Sequence, residues 1–412
     1  MSFKDLQLNR PILRAVAEAG YNNPTLVQEK TIPLVLAKKD VIVSAQTGTG
    51  KTAAFALPIL QQLFDKQDAS KKGKKIRALI VSPTRELATQ TADNFKTYST
   101  YTNLRTTVIF GGTSIEPQID ILKKGVDILI ATPGRLLDLH KQDIINLDYI
   151  ETLVLDEADL MLDMGFIDDV KKIERLCTQE KQILLFSATI PFKVEQLANT
   201  ILNEPERVEV AQNSSTSKNV NQVLYYVPKR NKIELCLHLL RNTIKGSILI
   251  FRRTKFGVDK LEQTLIKNGY KVASLHGDKS QNLRDNALNS FKQNTVNILI
   301  ATDVAARGID INELDAVINF DLPNVPETYV HRVGRTARAG KSGTSYSFCS
   351  ADEKPYVQTI QQLIQLQLDV IEDHPYPLDP KAKKEIHRTP EKSKHKKGRK
   401  SESSKKKKKR WY

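Results

Sequence analysis

Short runs of β-branched and aliphatic residues recur along the chain, and stretches with helical spacing of apolar residues separate them. In the first half these runs are Val41–Ala45, Ala78–Ser82, Thr106–Phe110, Asp127–Ala131, Thr152–Asp156 and Ile183–Ser187. In the second half they are Val223–Val227, Ser247–Phe251, Lys271–Leu275, Asn297–Ala301, Asp315–Phe320 and Thr344–Phe348. Nearly continuous apolar strands alternating with helices predict parallel sheets that helices cover on both faces. The pattern therefore predicts an α/β protein.

Length and one polar stretch predict how the chain is divided. A chain of 412 residues exceeds one ordinary hydrophobic core, so we expect two domains. The segment Ala211–Lys218 is polar and poor in apolar residues, which is typical of a linker. We therefore predict a first domain at 1–210, a linker at 211–218, a second domain at 219–373 and a tail at 374–412.

The net charge of +16 lies mostly at the C-terminal end of the chain. Residues 381–412 hold 16 Lys or Arg and 3 Asp or Glu, whereas the rest of the chain carries a net charge of only +3. This segment has almost no apolar residue before Trp411 and Tyr412, so it cannot bury a core and is predicted to be disordered. A nucleic-acid role for the folded part must therefore rest on its motifs.

Several features indicate a cytoplasmic protein without a membrane segment. No apolar run reaches the roughly 18 residues of a membrane-spanning helix, and the N-terminus lacks a secretory signal pattern. The three cysteines, Cys177, Cys236 and Cys349, are far apart and form no C-x-x-C pair. Such usage predicts a reducing compartment and argues against a disulfide scaffold or a zinc site.

The segment Val41–Thr52 is an apolar run that ends in a glycine-rich loop and Lys51-Thr52. It matches the phosphate-loop pattern G-x-x-x-x-G-K-[ST] except at the first glycine, where Ala45 stands. Glycines allow backbone N–H groups to surround phosphate oxygens, while the lysine supplies charge and the threonine hydroxyl binds Mg²⁺. The alternative is an ordinary strand-to-helix turn. We predict a nucleoside triphosphate site.

Two acidic residues follow another apolar strand. Asp156 is placed to hold Mg²⁺ through water, and Glu157 to orient or deprotonate the attacking water. A helix cap is the alternative for Asp156 alone. Farther on, His331–Arg338 contains three arginines, of which Arg335 and Arg338 are one helical turn apart and are predicted to project to the same side. Such a pair suits an arginine-finger role, and the alternative is a solvated basic helix face.

Polar signals also follow many of the other predicted strands, where ligands bind in open parallel sheets. Ordinary turn chemistry is the alternative for any one of them. The signals are Pro83-Thr84-Arg85, Gly111-Gly112, Thr132–Arg135, Ser187-Ala188-Thr189, His276-Gly277-Asp278 and Thr302-Asp303.

Taken in order, these motifs resemble those of the DEAD-box ATP-dependent RNA helicases. The matching segments are Ala45–Thr52, Pro83–Ala88, Gly111-Gly112, Thr132–Arg135, Asp156–Asp159, Ser187–Thr189, Ile248–Phe251, Ala301–Asp310 and His331–Arg338. Phe3 and Gly20–Gln28 resemble the adenine-recognition motif of that family. The resemblance implies two RecA-like domains in tandem with parallel sheets, followed by a disordered basic tail, and the use of ATP, Mg²⁺ and RNA.

The resemblance also implies roles for individual residues. Tyr21 is expected to stack on adenine and Gln28 to hydrogen-bond its edge, while Lys51, Asp156, Glu157, Arg335, Arg338 and His331 form the catalytic group. The residues expected around the phosphates, the metal and the ribose are Thr47, Gly48, Thr49, Gly50, Lys51, Thr52, Asp156, Gly308 and Asp310. RNA-backbone contacts are expected from Thr84, Arg85, Gly112, Thr132, Gly134, Arg135, Arg252, Thr254, Gly277, Arg284 and Thr302. The sequence departs slightly from the family pattern at Leu26-Val27 and Ala337. Neither departure changes a charged group or a hydrogen-bond donor.

Family likeness further implies that closure of the two domains completes both the ATP site and the RNA surface, and that short duplexes are opened locally. We expect a monomer of the bacterial RhlE type, with ribosomal precursors or RNA-decay proteins as partners. An ATP-gated RNA clamp and a double-stranded DNA motor are the alternatives. For the tail we favour a sequence-independent RNA tether over a solubilising tail or a nuclear import signal.

Overall fold

The computed structural model describes residues 1–46, 48–66, 75–210, 220–306, 309, 311, 314–336 and 343–379. The predicted linker 211–218, the segment 381–412 and the site residues Thr47, Gly308, Asp310 and Arg338 lie outside these ranges. Within them, no helix is both long and apolar enough to cross a membrane.

The strands form two seven-stranded parallel sheets. The first sheet contains β1 (Val41–Ser44), β2 (Ala78–Val81), β3 (Thr106–Ile109), β4 (Ile128–Ala131), β5 (Thr152–Leu155), β6 (Gln182–Ser187) and β7 (Glu206–Glu209). The second contains β8 (Val220–Tyr226), β9 (Ile248–Phe251), β10 (Val272–Leu275), β11 (Ile298–Ala301), β12 (Ala316–Asn319), β13 (Gly343–Cys349) and β14 (Asp369–Val370). Their orders are β3-β4-β2-β5-β6-β1-β7 and β10-β11-β9-β12-β13-β8-β14. The predicted α/β class with two parallel sheets is confirmed.

Helices connect the strands and cover both sheets. Those of the first domain are Arg10–Glu18, Leu26–Leu36, Lys51–Asp65, Arg85–Tyr98, Glu116–Lys123, Pro133–Lys141, Ala158–Asp163, Ile167–Leu176 and Phe192–Ile201. Those of the second are Lys232–Asn242, Lys255–Lys267, Gln281–Lys292, Asp303–Ala306, Pro326–Val333 and Lys354–Ile364. Short 3-10 turns occupy Phe3–Leu6 and Lys229–Asn231.

Each central strand supplies residues to the hydrophobic cores on both faces of its sheet. In β1, Val41 and Val43 pack in one core, whereas Ile42 packs in the other. This alternation explains why the sequence shows continuous apolar runs, since both faces exclude water. Parallel strands place all their carboxyl ends at one edge, and the predicted polar motifs follow those ends.

The second domain continues beyond the predicted boundary at residue 373. The backbone N–H of Leu378 donates to the carbonyl of Tyr226 at 2.9 Å, and the His374 ring packs against Tyr225 with 5.4 Å between centroids. The predicted start of a disordered tail at residue 374 is therefore too early. The hydrogen bond to the last residue of β8 and the aromatic contact hold this segment on the domain.

Candidate nucleotide and RNA sites

The loop after β1 has a backbone that glycine permits. Gly48 and Gly50 have φ values of +81° and +92°, in the left-handed region where glycine carries no steric penalty. A Cβ at Gly50 would lie 2.3 Å from Nε2 of Gln28, so a side chain there would also collide with a neighbour. The loop therefore turns tightly just before the helix that begins at Lys51.

The segment that resembles the adenine-recognition motif supports this loop directly. Thr25 Oγ1 donates to the Thr49 carbonyl at 2.7 Å, and Gln28 Nε2 donates to the Gly50 carbonyl at 3.2 Å. Gln28 is buried, and its Oε1 accepts from the Thr25 backbone N–H at 2.9 Å. The side chain thus holds the phosphate loop, and its contact with adenine stays a prediction.

Tyr21 lies beside the same segment with its ring partly open. Its hydroxyl lies 3.3 Å from that of Tyr98, and 43% of the residue is exposed. An aromatic ring fixed at one end and accessible on a face is suited to stacking on a base. The stacking of Tyr21 on adenine stays a prediction.

Lys51, Asp156 and Glu157 form a buried charged group at the carboxyl edge of the first sheet. Lys51 Nζ lies 2.8 Å from Glu157 Oε1, without the geometry of a hydrogen bond, and has no hydrogen-bond partner in the described part of the chain. Burial opposes its charge, but Glu157 and Asp156 outweigh that effect and raise the pKa of Lys51. The ammonium thus stays charged, with donors available for phosphate oxygens.

The carboxyl group of Asp156 responds to the same burial. Burial, reinforced by the charge of Glu157, raises the pKa of Asp156 to about 7, and Lys51 partly offsets this shift. A divalent cation would compensate the buried carboxylates.

The residues present fit a Mg²⁺ ion that arrives with phosphates. Among the described residues there is no group of three or more His, Cys, Asp or Glu that could form a complete metal cage. Mg²⁺ commonly keeps several waters and uses one or two protein ligands together with substrate phosphates. Thr52 and Asp156 would supply the protein side of such a site, and the ion would neutralise charge on the phosphates.

Glu157 has a backbone conformation that is unusual for a residue with a side chain. Its φ and ψ are +55° and +57°, at the start of the helix Ala158–Asp163. Left-handed conformations are uncommon outside glycine, and they concentrate at functional sites where the surroundings enforce them. Here the conformation accompanies the ion pair with Lys51.

The acidic segment is hydrogen-bonded to the loop after β6. Asp159 Oδ2 accepts from the backbone N–H of Thr189 at 3.0 Å and from its hydroxyl at 2.9 Å. The Asp159 backbone N–H in turn donates to Ser187 Oγ at 3.0 Å. The sequence placed these motifs in order, and the structure shows that they form one network.

A cavity of about 460 Å³ lies between this network and the second domain. Glu157, Asp159 and Thr189 line it from the first domain, and His331 and Arg335 line it from the second. Arg335 is buried, and its Nη1 donates to the Ile309 carbonyl at 2.7 Å. The structure therefore brings the predicted base and one predicted arginine finger to the same cavity. The catalytic role expected for His331 stays a prediction.

The expected helical spacing of the two arginines is wrong. The helix that begins at Pro326 ends at Val333, before Arg335, and Thr336 forms a bridge with Leu314. Arg335 thus lies in a turn, because the chain leaves the helix to pair with the segment before β12. Arg338 lies outside the described residues, so its role stays a prediction.

Arg332, in the same motif, is an internal anchor. Its Nε and Nη2 donate to the two carboxylate oxygens of Asp303 at 2.6 and 2.8 Å, and its Nη1 donates to the Asp321 carbonyl at 2.7 Å. These contacts fix the helix that carries His331 against the second sheet.

A second cavity, of about 570 Å³, also lies between the domains. Seven of the residues predicted to contact RNA line it, namely Thr84, Arg85, Thr132, Gly134, Arg135, Gly277 and Arg284. Five of them come from the first domain and two from the second. The domains therefore form one surface in which three guanidinium groups converge.

Polar contacts between the domains at this cavity were not predicted, and besides the two that follow, Gln281 Nε2 donates to Glu86 Oε1 at 3.3 Å. Arg284 Nη2 lies 2.9 Å from Glu86 Oε1, and Arg85 Nη1 donates to Gln281 Oε1 at 3.1 Å. Burial and the neighbouring charge of Arg284 lower the pKa of Arg85. The Glu86–Arg284 pair is largely buried, so it contributes to holding the domains together.

The remaining predicted RNA residues have structural contacts. Gly112 packs against the guanidinium of Arg85, and a Cβ there would lie 1.9 Å from its Nη2. Arg252 forms an ion pair with Asp321 at 3.1 Å and stacks on the Phe320 ring at 4.0 Å. Thr254 caps the helix that follows β9. Thr302 immediately precedes the helix Asp303–Ala306. RNA contact by these four residues stays a prediction.

Comparisons with known proteins agree with this arrangement. Residues 25–197 match the family described as DEAD/DEAH box helicase, and residues 231–340 match the helicase conserved C-terminal domain. The DEAD-box ATP-dependent RNA helicase RhpA of Helicobacter pylori is 41% identical over 371 residues, which cover 90% of this chain and 74% of that protein. The predicted RhlE type stays a prediction.

Two solved structures differ in how well they superpose. S. cerevisiae Dbp5 bound to RNA and ADP BeF3 is 29% identical, with 90% of this chain and 95% of that chain covered and a TM-score of 0.79. A DEAD-box protein from Methanococcus jannaschii is 39% identical, with 90% and 99% covered and a TM-score of 0.51. The chain with the higher sequence identity has the lower TM-score of the two.

The family matches and the extent of the similarity establish the two RecA-like domains and the use of ATP. This chain belongs to the DEAD-box family of ATP-dependent RNA helicases.

Proposed function

We propose that this protein hydrolyses ATP between its two domains and uses domain closure to open short RNA duplexes or remodel RNA–protein complexes. The observation that carries the proposal is that residues of both domains line both cavities. Binding in one cavity and binding in the other then favour the same domain arrangement, so ATP and RNA affinities are coupled reciprocally.

The residues divide the chemistry between the domains. Lys51 and the loop Gly48–Gly50 bind phosphates, and Thr52 with Asp156 holds Mg²⁺. Glu157 orients the attacking water, and Arg335 stabilises charge on the transferred phosphoryl group. With this division, turnover requires the two domains to be closed on each other.

The RNA site reads backbone rather than sequence. Arg85, Arg135 and Arg284 suit phosphate oxygens, because guanidinium groups pair with them in a bidentate manner. Contacts to phosphate and sugar position a strand but carry little sequence information. We therefore propose a sequence-independent grip on one RNA strand.

Two assays on the full chain test the proposal. We expect ATP hydrolysis to rise on addition of single-stranded RNA, and a short RNA duplex to be displaced only with ATP. A DNA duplex of the same sequence serves as the control for a DNA motor. Displacement of the DNA duplex but not of the RNA duplex contradicts the proposal. A rate of ATP hydrolysis that stays the same when RNA is added also contradicts it.

A clamp is the second candidate, and the buried interdomain pair Glu86–Arg284 favours it. Removing one partner of a buried pair commonly costs about 3–5 kcal/mol, because the other charge is left uncompensated. If the pair prolongs closure, Glu86→Gln will shorten the lifetime of RNA complexes formed with a non-hydrolysable ATP analogue. Measured dissociation at the parental rate would remove this pair as a clamp element.

We further propose a cytoplasmic monomer that serves ribosome assembly or RNA decay. Cys177, Cys236 and Cys349 are buried free thiols that form no disulfide, which suits a reducing compartment. Sequencing the RNA crosslinked to the protein in its own cells tests the pathway. Enrichment of neither ribosomal precursors nor decay substrates contradicts it.

A further inference from the structure

Phe256 is the most exposed large apolar side chain in the described part of the chain, with 77% of its surface accessible. It is the second residue of the helix Lys255–Lys267 and follows the capping residue Thr254. The ring gains little from folding at this exposure. Single exposed apolar residues are common on proteins, so the position of Phe256 decides its meaning.

The residue before Phe256 forms an ion pair with the loop on the second-domain side of the 570 Å³ cavity. Lys255 forms an ion pair with Asp278, the residue after Gly277, and Gly277 lines that cavity. The Lys255 ammonium also lies 5.8 Å from the centroid of the Phe256 ring. Phe256 is thus linked, through one lysine, to the loop that forms the wall of the cavity.

The segments around the ring are rich in basic residues that carboxylates hold in place. The segments 252–256 and 276–284 contain five Lys or Arg and one Asp, and each of the five basic groups forms an ion pair. Aromatic rings beside a basic groove are the common arrangement for binding single strands, because every base offers a face for stacking. For a protein partner with a matching apolar patch, the described residues offer no comparable supporting observation.

We propose that Phe256 is an RNA contact that stacks on a base or ribose of the strand that leaves the interdomain cavity. The inference rests on the proposed RNA-binding function and extends it to a residue outside the predicted motifs. It adds a stacking contribution to a surface that otherwise contacts the phosphate backbone.

Titration of fluorescein-labelled oligouridine with the full chain and a non-hydrolysable ATP analogue tests the proposal. Phe256→Ala is expected to weaken binding about five- to tenfold, at the lower end of measured stacking contributions. The slope of log affinity against log salt is expected to stay unchanged, because the substitution removes no charge that neutralises a phosphate. Phe256→Trp is expected to retain affinity, and Phe256→Leu to reduce it.

Ile266→Ala provides the matched control. Ile266 is an exposed apolar residue near the other end of the same helix, about 15 Å away at the rise of an α-helix, and it is expected to leave affinity unchanged. Equal affinities for parent and Phe256→Ala overturn the proposal. If the parent protein binds no RNA with or without the ATP analogue, the proposed function is overturned as well. The failure of this inference and the failure of the proposed function are therefore distinguishable.

Discussion

The two domains have the same topology but use the same position differently. The strand order of the second sheet is that of the first with each number raised by seven. In both domains, the helix after the first strand begins with a lysine, Lys51 in one and Lys232 in the other. Both lysines are buried at the carboxyl edge of their sheet.

The surroundings of the two lysines differ. Lys232 Nζ donates to the carbonyls of Phe320 and Phe348 at 2.8 and 3.1 Å and to Glu353 Oε2 at 2.6 Å. Lys51 has the ion pair with Glu157 at 2.8 Å and no such set of protein acceptors within the described residues.

The comparison shows that the same position in one fold holds a ligand-binding lysine in the first domain and a structural ion pair in the second. In the second domain the protein itself supplies three oxygens, which satisfies the ammonium and leaves it no role with a ligand. In the first domain the described residues supply Lys51 with the Glu157 carboxylate but with no hydrogen-bond partner, so phosphate oxygens can take that place. The second domain instead contributes Arg335, on a segment that Arg332 anchors.

The largest expected effect distinguishes the roles of the two carboxylates that pair with these lysines, Glu157 with Lys51 and Glu353 with Lys232. Glu157→Gln is expected to retain ATP binding but to lower turnover by about 10⁴-fold, the upper end of what a positioned general base contributes. ATP hydrolysis and ATP affinity measure the two properties. Glu353→Gln is the control, with lower thermal stability and retained ATP affinity expected. Parental turnover in Glu157→Gln would remove this residue from catalysis.

The next effect tests the contribution of the second domain. Arg335→Ala is expected to lower the hydrolysis rate by about 10³-fold, as for other arginine fingers, with unchanged ATP affinity because binding belongs to the first domain. Single-turnover hydrolysis at saturating RNA checks the rate. A rate within a few fold of the parent would mean that Arg335 is only a structural side chain.

The smallest effect concerns the basic segment 381–412, which lies outside the described residues. Deletion of residues 381–412 removes a charge of +13 and is expected to weaken RNA binding while preserving hydrolysis at saturating RNA. Each phosphate that the shortened protein no longer neutralises lowers the salt slope by about 0.7 for single strands. Equal slopes for the two proteins would exclude the tail as an RNA tether.

Most of the fold could be predicted because buried strands carry a clear signal. All twelve predicted strands are present, whereas β7 and β14 were missed. Both are edge strands, one with the sequence Glu206-Arg-Val-Glu209 and one only two residues long. Edge strands are often short and charged, which prevents unwanted pairing and removes the apolar pattern used for prediction.

The nucleotide site was predictable because its residues are close together in sequence motifs. The role of Lys232 was not, since its acceptors are 88 to 121 residues away and its segment contains no glycine. The Glu86–Arg284 bridge was not predictable for the same reason, since its partners are far apart in sequence. Their contact depends on how the two domains meet. Arg252 illustrates a third limit, since a basic residue after a strand does not reveal whether it faces RNA or an internal carboxylate such as Asp321.

The most direct test of the comparison is a thermal-melting series with and without a non-hydrolysable Mg·ATP analogue. For Lys232→Met we predict a lower melting temperature of the free protein, because Glu353 and two buried carbonyls lose their donor, and a retained shift on nucleotide addition. For Lys51→Met we predict a smaller change in the melting temperature of the free protein and loss of the nucleotide shift. In the parent protein, that shift reflects a stabilisation of about 2.7 kcal/mol at a ligand concentration 100 times its Kd. Loss of the shift in Lys232→Met, or its retention in Lys51→Met, would contradict the assignment of nucleotide binding to the first domain.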